Sequence, residues 1–141
     1  EAPAYISWSA QNRSALVRVP ASREKGTRVE LRSPDPSCNP YLAFAAVIKA
    51  GLDGIKNEIE PPASMEKNIY HMSAEERARY GITSLPANLE AAVNAFLEDE
   101  VIQEALGEHI CRRFVEAKRI EWDIYRTQVH AWEIEQYLGV F

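Results

Sequence analysis

The chain has 141 residues, a formal net charge of −5, 46% apolar residues and 26% charged residues. These values fit one soluble globular domain with a modest core. The acidic balance argues against a general nucleic-acid binder, which would carry a basic surface. No apolar run reaches the length of about 18 residues that a membrane span needs.

Residues 1–11, EAPAYISWSAQ, read as a loop followed by a strand. Tyr5, Ser7 and Ser9 alternate there with Ile6, Trp8 and Ala10. The opening lacks the basic and apolar regions of a signal peptide, so it is not expected to be one. Residues 12–32, NRSALVRVPASREKGTRVELR, read as two short strands joined by the polar loop ASREKG. Pro20 and Gly26 bound that loop.

The second strand alternates. Side chains along a strand have a period of two, which puts Val29 and Leu31 on one side and Arg28, Glu30 and Arg32 on the other. A core strand would place apolar residues on both sides. Glu30 can hold a hard divalent cation through its oxygens. Arg28 and Arg32 can fork onto phosphate or carboxylate oxygens, as a lysine cannot. Arg13 and Arg18 on the preceding strand extend the row. The composition suits a metal-bridged anion such as a nucleoside triphosphate. It suits equally a cross-strand ladder of ion pairs on an exposed sheet face.

SPDPSCNP is a turn cluster, in which Asn39 can cap a helix and Pro40 can take its first position. The following YLAFAAVIKAGLDGIKNEI is apolar nearly all round and predicts a buried central helix. Gly51 and Gly54 are costly inside a helix, and close packing against a neighbour would explain them. EPPASMEKNIYHM reads as irregular. Ser73 and Glu76 form a capping box for the short helix SAEERARY, ended by Gly81. ITSLPA reads as a linker, and Asn88 then caps a helix with the stripe Leu89, Ala92, Val93, Phe96 and Leu97. DEVIQEAL is a further short helix that stops at Gly107. The longest helix is predicted from Glu108 to about Val129, burying Ile110, Phe114, Ala117, Ile120 and Ile124, with Arg112 and Glu116 paired. The tail HAWEIEQYLGVF is aromatic for a terminus, which implies that this chain or another subunit covers it.

Cys38 and Cys111 lack CxxC spacing and read as two free thiols in a reducing compartment. His71, His109 and His130 lie in different elements and read as surface or hydrogen-bonded histidines. Asn12 reads as a strand-end hydrogen-bonding residue.

NRSALVRVP, then GTRVELRSPDPSCNPYLAFAAVIKAGLDGIKN, and finally EWDIYRTQVHAWEIEQYLGVF resemble the C-terminal part of the catalytic domain of bacterial type I glutamine synthetase. The likeness runs along essentially the whole chain, and members of that family are considerably longer. The resemblance therefore implies that residues 1–141 are a C-terminal fragment of that domain. The expected fold is α+β: a few antiparallel strands carrying active-site residues over 1–33, then a mostly helical region over 39–141 that ends in the tail. The family's activity is ATP-dependent joining of ammonia to the side-chain carboxylate of L-glutamate, with Mg²⁺ or Mn²⁺, in a cytoplasmic double-ring homo-oligomer. A nucleic-acid or membrane partner is not expected. The alternative is a helical oligomerisation or regulator-binding module with no catalysis of its own.

The resemblance also assigns roles. Glu1 matches a catalytic glutamate on a flap that shields the intermediate and takes a proton from ammonium. Arg13 and Arg18 match arginines for the transferring phosphoryl group and ATP, with Arg13 also catalytic and facing the substrate glutamate. Arg28 and Lys25 match ATP contacts, Glu30 a metal ligand, and Arg32 a contact to glutamate. NIYHMSAEER departs from the NLYDLP of members adenylylated on a tyrosine. Tyr70 is therefore expected to be a packing residue. Glu121 and Arg126 fall where the feedback-regulated branch is controlled.

Overall fold

The computed structural model describes residues 3–140. They divide between Ala87 and Asn88 into two compact units. The first carries the strands. β1 (Tyr5–Ile6), β2 (Trp8–Ser9), β3 (Val17–Arg18) and β4 (Glu30–Leu31) come from the N-terminal stretch. β5 (Thr83–Ser84) comes from the segment that reads as a linker. β3 and β4 pair antiparallel, with Val17 opposite Leu31 and Arg18 opposite Glu30. β2 joins β3 in parallel, and β1 pairs antiparallel with β5, setting Tyr5 opposite Ser84. The α+β reading holds, with one parallel ladder that the alternation does not reveal.

α1 (Pro40–Lys56) begins as the sequence dictates. The Asn39 side chain accepts from the Tyr41 and Leu42 N–H groups, and Pro40 takes the first turn, where an N–H would have no partner. Its burial differs from expectation. None of its residues is buried, and Tyr41 and Phe44 are 84% and 66% exposed. A Cβ added at Gly51 or Gly54 would meet nothing within 4 Å. The apolar surface of α1 is encoded, but the described residues do not supply what would cover it.

The core of the first unit sits where the sequence reads as irregular. Met65, Ile69 and Met72 form a buried cluster against Tyr5 and Ile82, and Ile69 is 0% exposed. Polar contacts fasten this segment to the strands. Trp8 Nε1 donates to the Pro62 carbonyl at 2.6 Å, the Met65 N–H to the Trp8 carbonyl at 2.9 Å, and the Ile69 N–H to the Ser14 hydroxyl at 3.0 Å. α2 (Ala74–Arg79) follows with its capping box formed: the Glu76 N–H donates to the Ser73 hydroxyl, and the Ser73 N–H to the Glu76 carboxylate. Gly81 takes a φ of +66°, as its position after the helix requires.

The second unit is helical: α3 (Leu89–Glu98), α4 (Glu100–Leu106), α5 (Glu108–Tyr125) and α6 (Ala131–Tyr137). Asn88 and Asp99 cap α3 and α4 by accepting from the Ala91 and Ile102 N–H groups. Gly107 at φ +77° stops α4. α5 ends four residues before Val129, because Thr127 and Gln128 turn their side chains back onto the Asp123 and Ile124 carbonyls. Its buried face is Cys111 and Val115 rather than the expected isoleucine row. Packing on α3 and α4 sets that phase, with Phe114 edge-on to Phe96 at 5.8 Å and Cys111 Sγ donating to the Gln103 carbonyl. Ile110, Ile120 and Ile124 stay exposed. Glu116 pairs with Arg113 at 3.0 Å, not with Arg112.

Candidate functional site

The paired strands β3 and β4 decide the geometry of the charged row. Directly opposed residues of an antiparallel pair lie side by side on one face. Arg18 therefore meets Glu30 across the ladder, and Arg28 meets it along the strand. Arg18 Nε donates to Glu30 Oε2 at 2.7 Å and Arg18 Nη2 to Oε1 at 3.1 Å, a two-pronged fork. Arg28 Nε donates to Oε1 at 2.7 Å, and its Nη2 lies 2.6 Å from the same oxygen. The Glu30 carboxyl is held below the usual carboxylate range, first by the Arg18 bond and then by Arg28. The Arg18 guanidinium is correspondingly raised by its bond to Glu30.

Arg32 does not complete the row, although alternation puts it on the same side. Its guanidinium turns to the Arg13 and Ala15 carbonyls. The second guanidinium on Glu30 comes instead from the neighbouring strand, through Arg18. Arg13 is exposed at the entry to β3. Lys25 is exposed in the short turn Glu24–Gly26. Gly26 is required there, since a Cβ would stand 2.9 Å from the Ser22 Cβ. Glu1 lies outside the described residues. On the other face, Val17, Val19 and Val29 join Ile6, Trp8 and Pro61 around an apolar groove of about 450 Å³.

Asn12 is a linchpin of the fold, as its place at a strand end suggests. Its amide donates to the Met65 carbonyl at 2.8 Å and to the Lys67 carbonyl, and its oxygen accepts from Ser14. Sequence reasoning missed the partner of this loop, Glu66. Its carboxylate accepts from the Ser9 and Ser64 hydroxyls and is held low, first by Ser64 and then by Ser9. The Ser64 bond is local, but no local signal points to the bond that fastens Glu66 to the strands, because it joins residues 9 and 66.

Tyr70 packs its ring on Tyr5 at 5.8 Å. In the second unit, Glu121 pairs with Lys118 at 2.6 Å and Arg126 with Asp123 at 2.8 Å. Both cysteines are free thiols. The described residues hold no group of three or more His, Cys, Asp or Glu side chains that could enclose a metal ion. Glu30 brings one carboxylate of hard oxygen donors, which suits a cation such as Mg²⁺ or Mn²⁺ but cannot enclose it alone. No helix among the described residues is long and apolar enough to cross a membrane.

The family described as glutamine synthetase, catalytic domain, matches residues 1–137. A glutamine synthetase from Thermotoga maritima is 59% identical over 138 residues, covering 98% of this chain and 31% of its own length. One from Clostridium saccharobutylicum is 55% identical over 141 residues, covering 100% of this chain and 32% of its own. The chain thus spans about a third of the length of these curated relatives. Among solved structures, a GmaS–ADP complex superposes with a TM-score of 0.83 at 36% identity, covering 98% of this chain and 30% of that one. A Plasmodium falciparum glutamine synthetase shares the fold, with a TM-score of 0.74 at 22% identity over 96% of this chain and 34% of that one. By the match over residues 1–137, the chain belongs to the glutamine synthetase catalytic-domain family.

Proposed function

We propose that this chain is the C-terminal part of a longer glutamate–ammonia ligase and contributes its arginine clamp and one metal ligand. In that enzyme ATP phosphorylates the side-chain carboxylate of glutamate. Ammonia then displaces phosphate to give glutamine and ADP. The single observation that carries the reading is the Arg18–Glu30–Arg28 cluster on β3 and β4. An acid gripped by two guanidiniums is suited to trade them for a cation and a polyphosphate. The family membership supplies the reaction class.

Each residue then has a task. Glu30 would hold the divalent cation, which supplies charge neutralisation for the transferring phosphoryl group when bound. Arg18 and Arg28, with Lys25, meet the phosphates of ATP. Planar guanidiniums spread their donors over several oxygens, and they stabilise charge that develops during transfer. Arg13, at the entry to β3, would meet both the transferring phosphoryl group of ATP and the glutamate, and Arg32, on leaving the Arg13 and Ala15 carbonyls, would meet the glutamate and its phosphorylated form. Glu1 is the proton acceptor of the flap. The remaining metal ligands, the adenine pocket and the ammonium site come from the rest of the polypeptide and from a neighbouring copy in a homo-oligomeric, cytoplasmic enzyme. Glu121 and Arg126 belong to its feedback control.

The purified 141-residue chain given ATP, Mg²⁺, glutamate and ammonia is expected to make no glutamine, while the complete enzyme does. Turnover by the isolated chain would refute the division of labour.

A second reading is favoured by one observation. Trp132, Ile134, Tyr137, Leu138 and Val140 on and after α6 are all exposed. The tail then serves as an assembly or regulator-binding anchor. Removing residues 130–141 and measuring mass in solution tests it, and unchanged assembly would dismiss it.

A further inference from the structure

We propose that Glu30 is a lock shared by two ligands: the carboxylate that takes the cation holds Arg18 and Arg28 away from phosphate until the cation arrives. The inference rests on the metal-ligand and phosphate roles proposed above and adds a coupling between them.

The geometry carries it. The Arg18 fork covers both oxygens of the carboxylate, at 2.7 and 3.1 Å. Arg28 adds two further donors on Oε1, within 2.7 Å. A cation approaching Glu30 alone meets two positive charges at hydrogen-bonding range and finds the fork-facing edge already taken. A polyphosphate approaching alone must strip the guanidiniums from their acid. It then leaves a bare carboxylate beside its own negative charge. Either ligand by itself is opposed. Together they exchange partners, the cation taking Glu30 and the phosphates taking the guanidiniums, and every charge keeps a counter-charge.

The cluster is able to make that exchange. The side chains of Arg18 and Glu30 are 27% and 26% exposed and that of Arg28 is 48% exposed. The guanidiniums can therefore swing out without unpacking a core. Arg28 has one further anchor, a bond from its Nη1 to the Gly26 carbonyl at 3.1 Å, which tethers it to the Glu24–Gly26 turn beside Lys25. Arg32 takes no part, because its guanidinium is engaged by backbone carbonyls. The lock is thus confined to Arg18 and Arg28, the two arginines bonded to Glu30. Coupling of this kind is reciprocal: each ligand must raise the affinity for the other by the same factor.

The test uses the complete enzyme, with ADP affinity read by calorimetry and Mn²⁺ affinity by the paramagnetic signal of the free ion. Glu30→Gln opens the lock and removes the ligand at once, so its effect should change sign with metal. In saturating Mn²⁺ it should weaken ADP binding, and in a chelator it should tighten ADP binding about fivefold or more. Arg28→Gln should tighten Mn²⁺ binding without nucleotide, and this measurement stands even if the Glu30 variant folds poorly. Loss of ADP affinity in Mn²⁺ with no gain in chelator would overturn the lock and leave the metal-ligand role intact. No effect of Glu30→Gln in Mn²⁺ would overturn the metal-ligand role itself. Unchanged Mn²⁺ binding in Arg28→Gln would also overturn the lock.

Discussion

Two regions of the first unit differ sharply in how complete they are. Residues 62–72 dock on the strands through matched polar groups, and Met65, Ile69 and Met72 are buried beneath them. α1 has better local signals than any part of that segment, yet none of its residues is buried. The contrast separates two kinds of information. Caps and helix formers act within a few residues and suffice to shape α1. Burial needs a partner surface, and for α1 that surface is absent from the described residues. Local order and tertiary completeness are therefore independent here.

The largest expected effect attacks the completed region. Ile69→Ala should cost the 141-residue chain about 2–5 kcal/mol, the range for truncating a fully buried aliphatic side chain. Chemical denaturation monitored on the first unit measures it. A cost below about 1 kcal/mol would mean that the 62–72 segment is not the core.

Acid should loosen the same region next. The Ser64 and Ser9 bonds depress the Glu66 carboxyl, so its folded form binds a proton less readily than its unfolded form. Its stabilising contribution is present above the ordinary carboxylate range and is lost as pH falls through the depressed value. The protection factors of the 62–72 amides, taken relative to unfolded-chain exchange at each pH, should fall on acidification through that window. Glu66→Gln should flatten this dependence. An unaltered pH profile in the variant would remove Glu66 from the account.

The smallest effect belongs to α1. Phe44→Ala in the 141-residue chain should change stability by no more than about 0.5 kcal/mol, as for exposed sites away from special features. In the complete polypeptide the same change should cost about 3–5 kcal/mol, once the exposed face is covered. Equal costs in the two contexts would mean that α1 is no better covered in the complete polypeptide than in the 141-residue chain.

What the sequence reveals follows this division. The caps at Asn39, Ser73 and Asn88 and the stop at Gly107 are legible because each rests on hydrogen bonds or a backbone angle within one turn. The Arg28–Glu30 neighbourhood is legible from the alternation of β4. The engagement of Arg18 follows only from the register that sets it opposite Glu30. The loss of Arg32 to the Arg13 and Ala15 carbonyls has no sequence signal, because a long side chain can leave the face its Cβ defines. The pairing of β1 with β5 and the contact of Ser9 with Glu66 join distant residues and leave no local mark. The burial phase of α5 is chosen by α3 and α4, which is why Cys111 and Val115 displace the more hydrophobic isoleucines.

The most direct test of the central claim replaces Glu30 by Gln in the complete enzyme. It compares glutamine formation with thermal stability. A carboxylate that grips a cation at the phosphoryl-transfer site should lower kcat/KM by about 10²-fold or more when it loses its charge, with the melting temperature nearly unchanged. A variant that keeps the full ligase rate would show that Glu30 serves only to pair two arginines on a sheet.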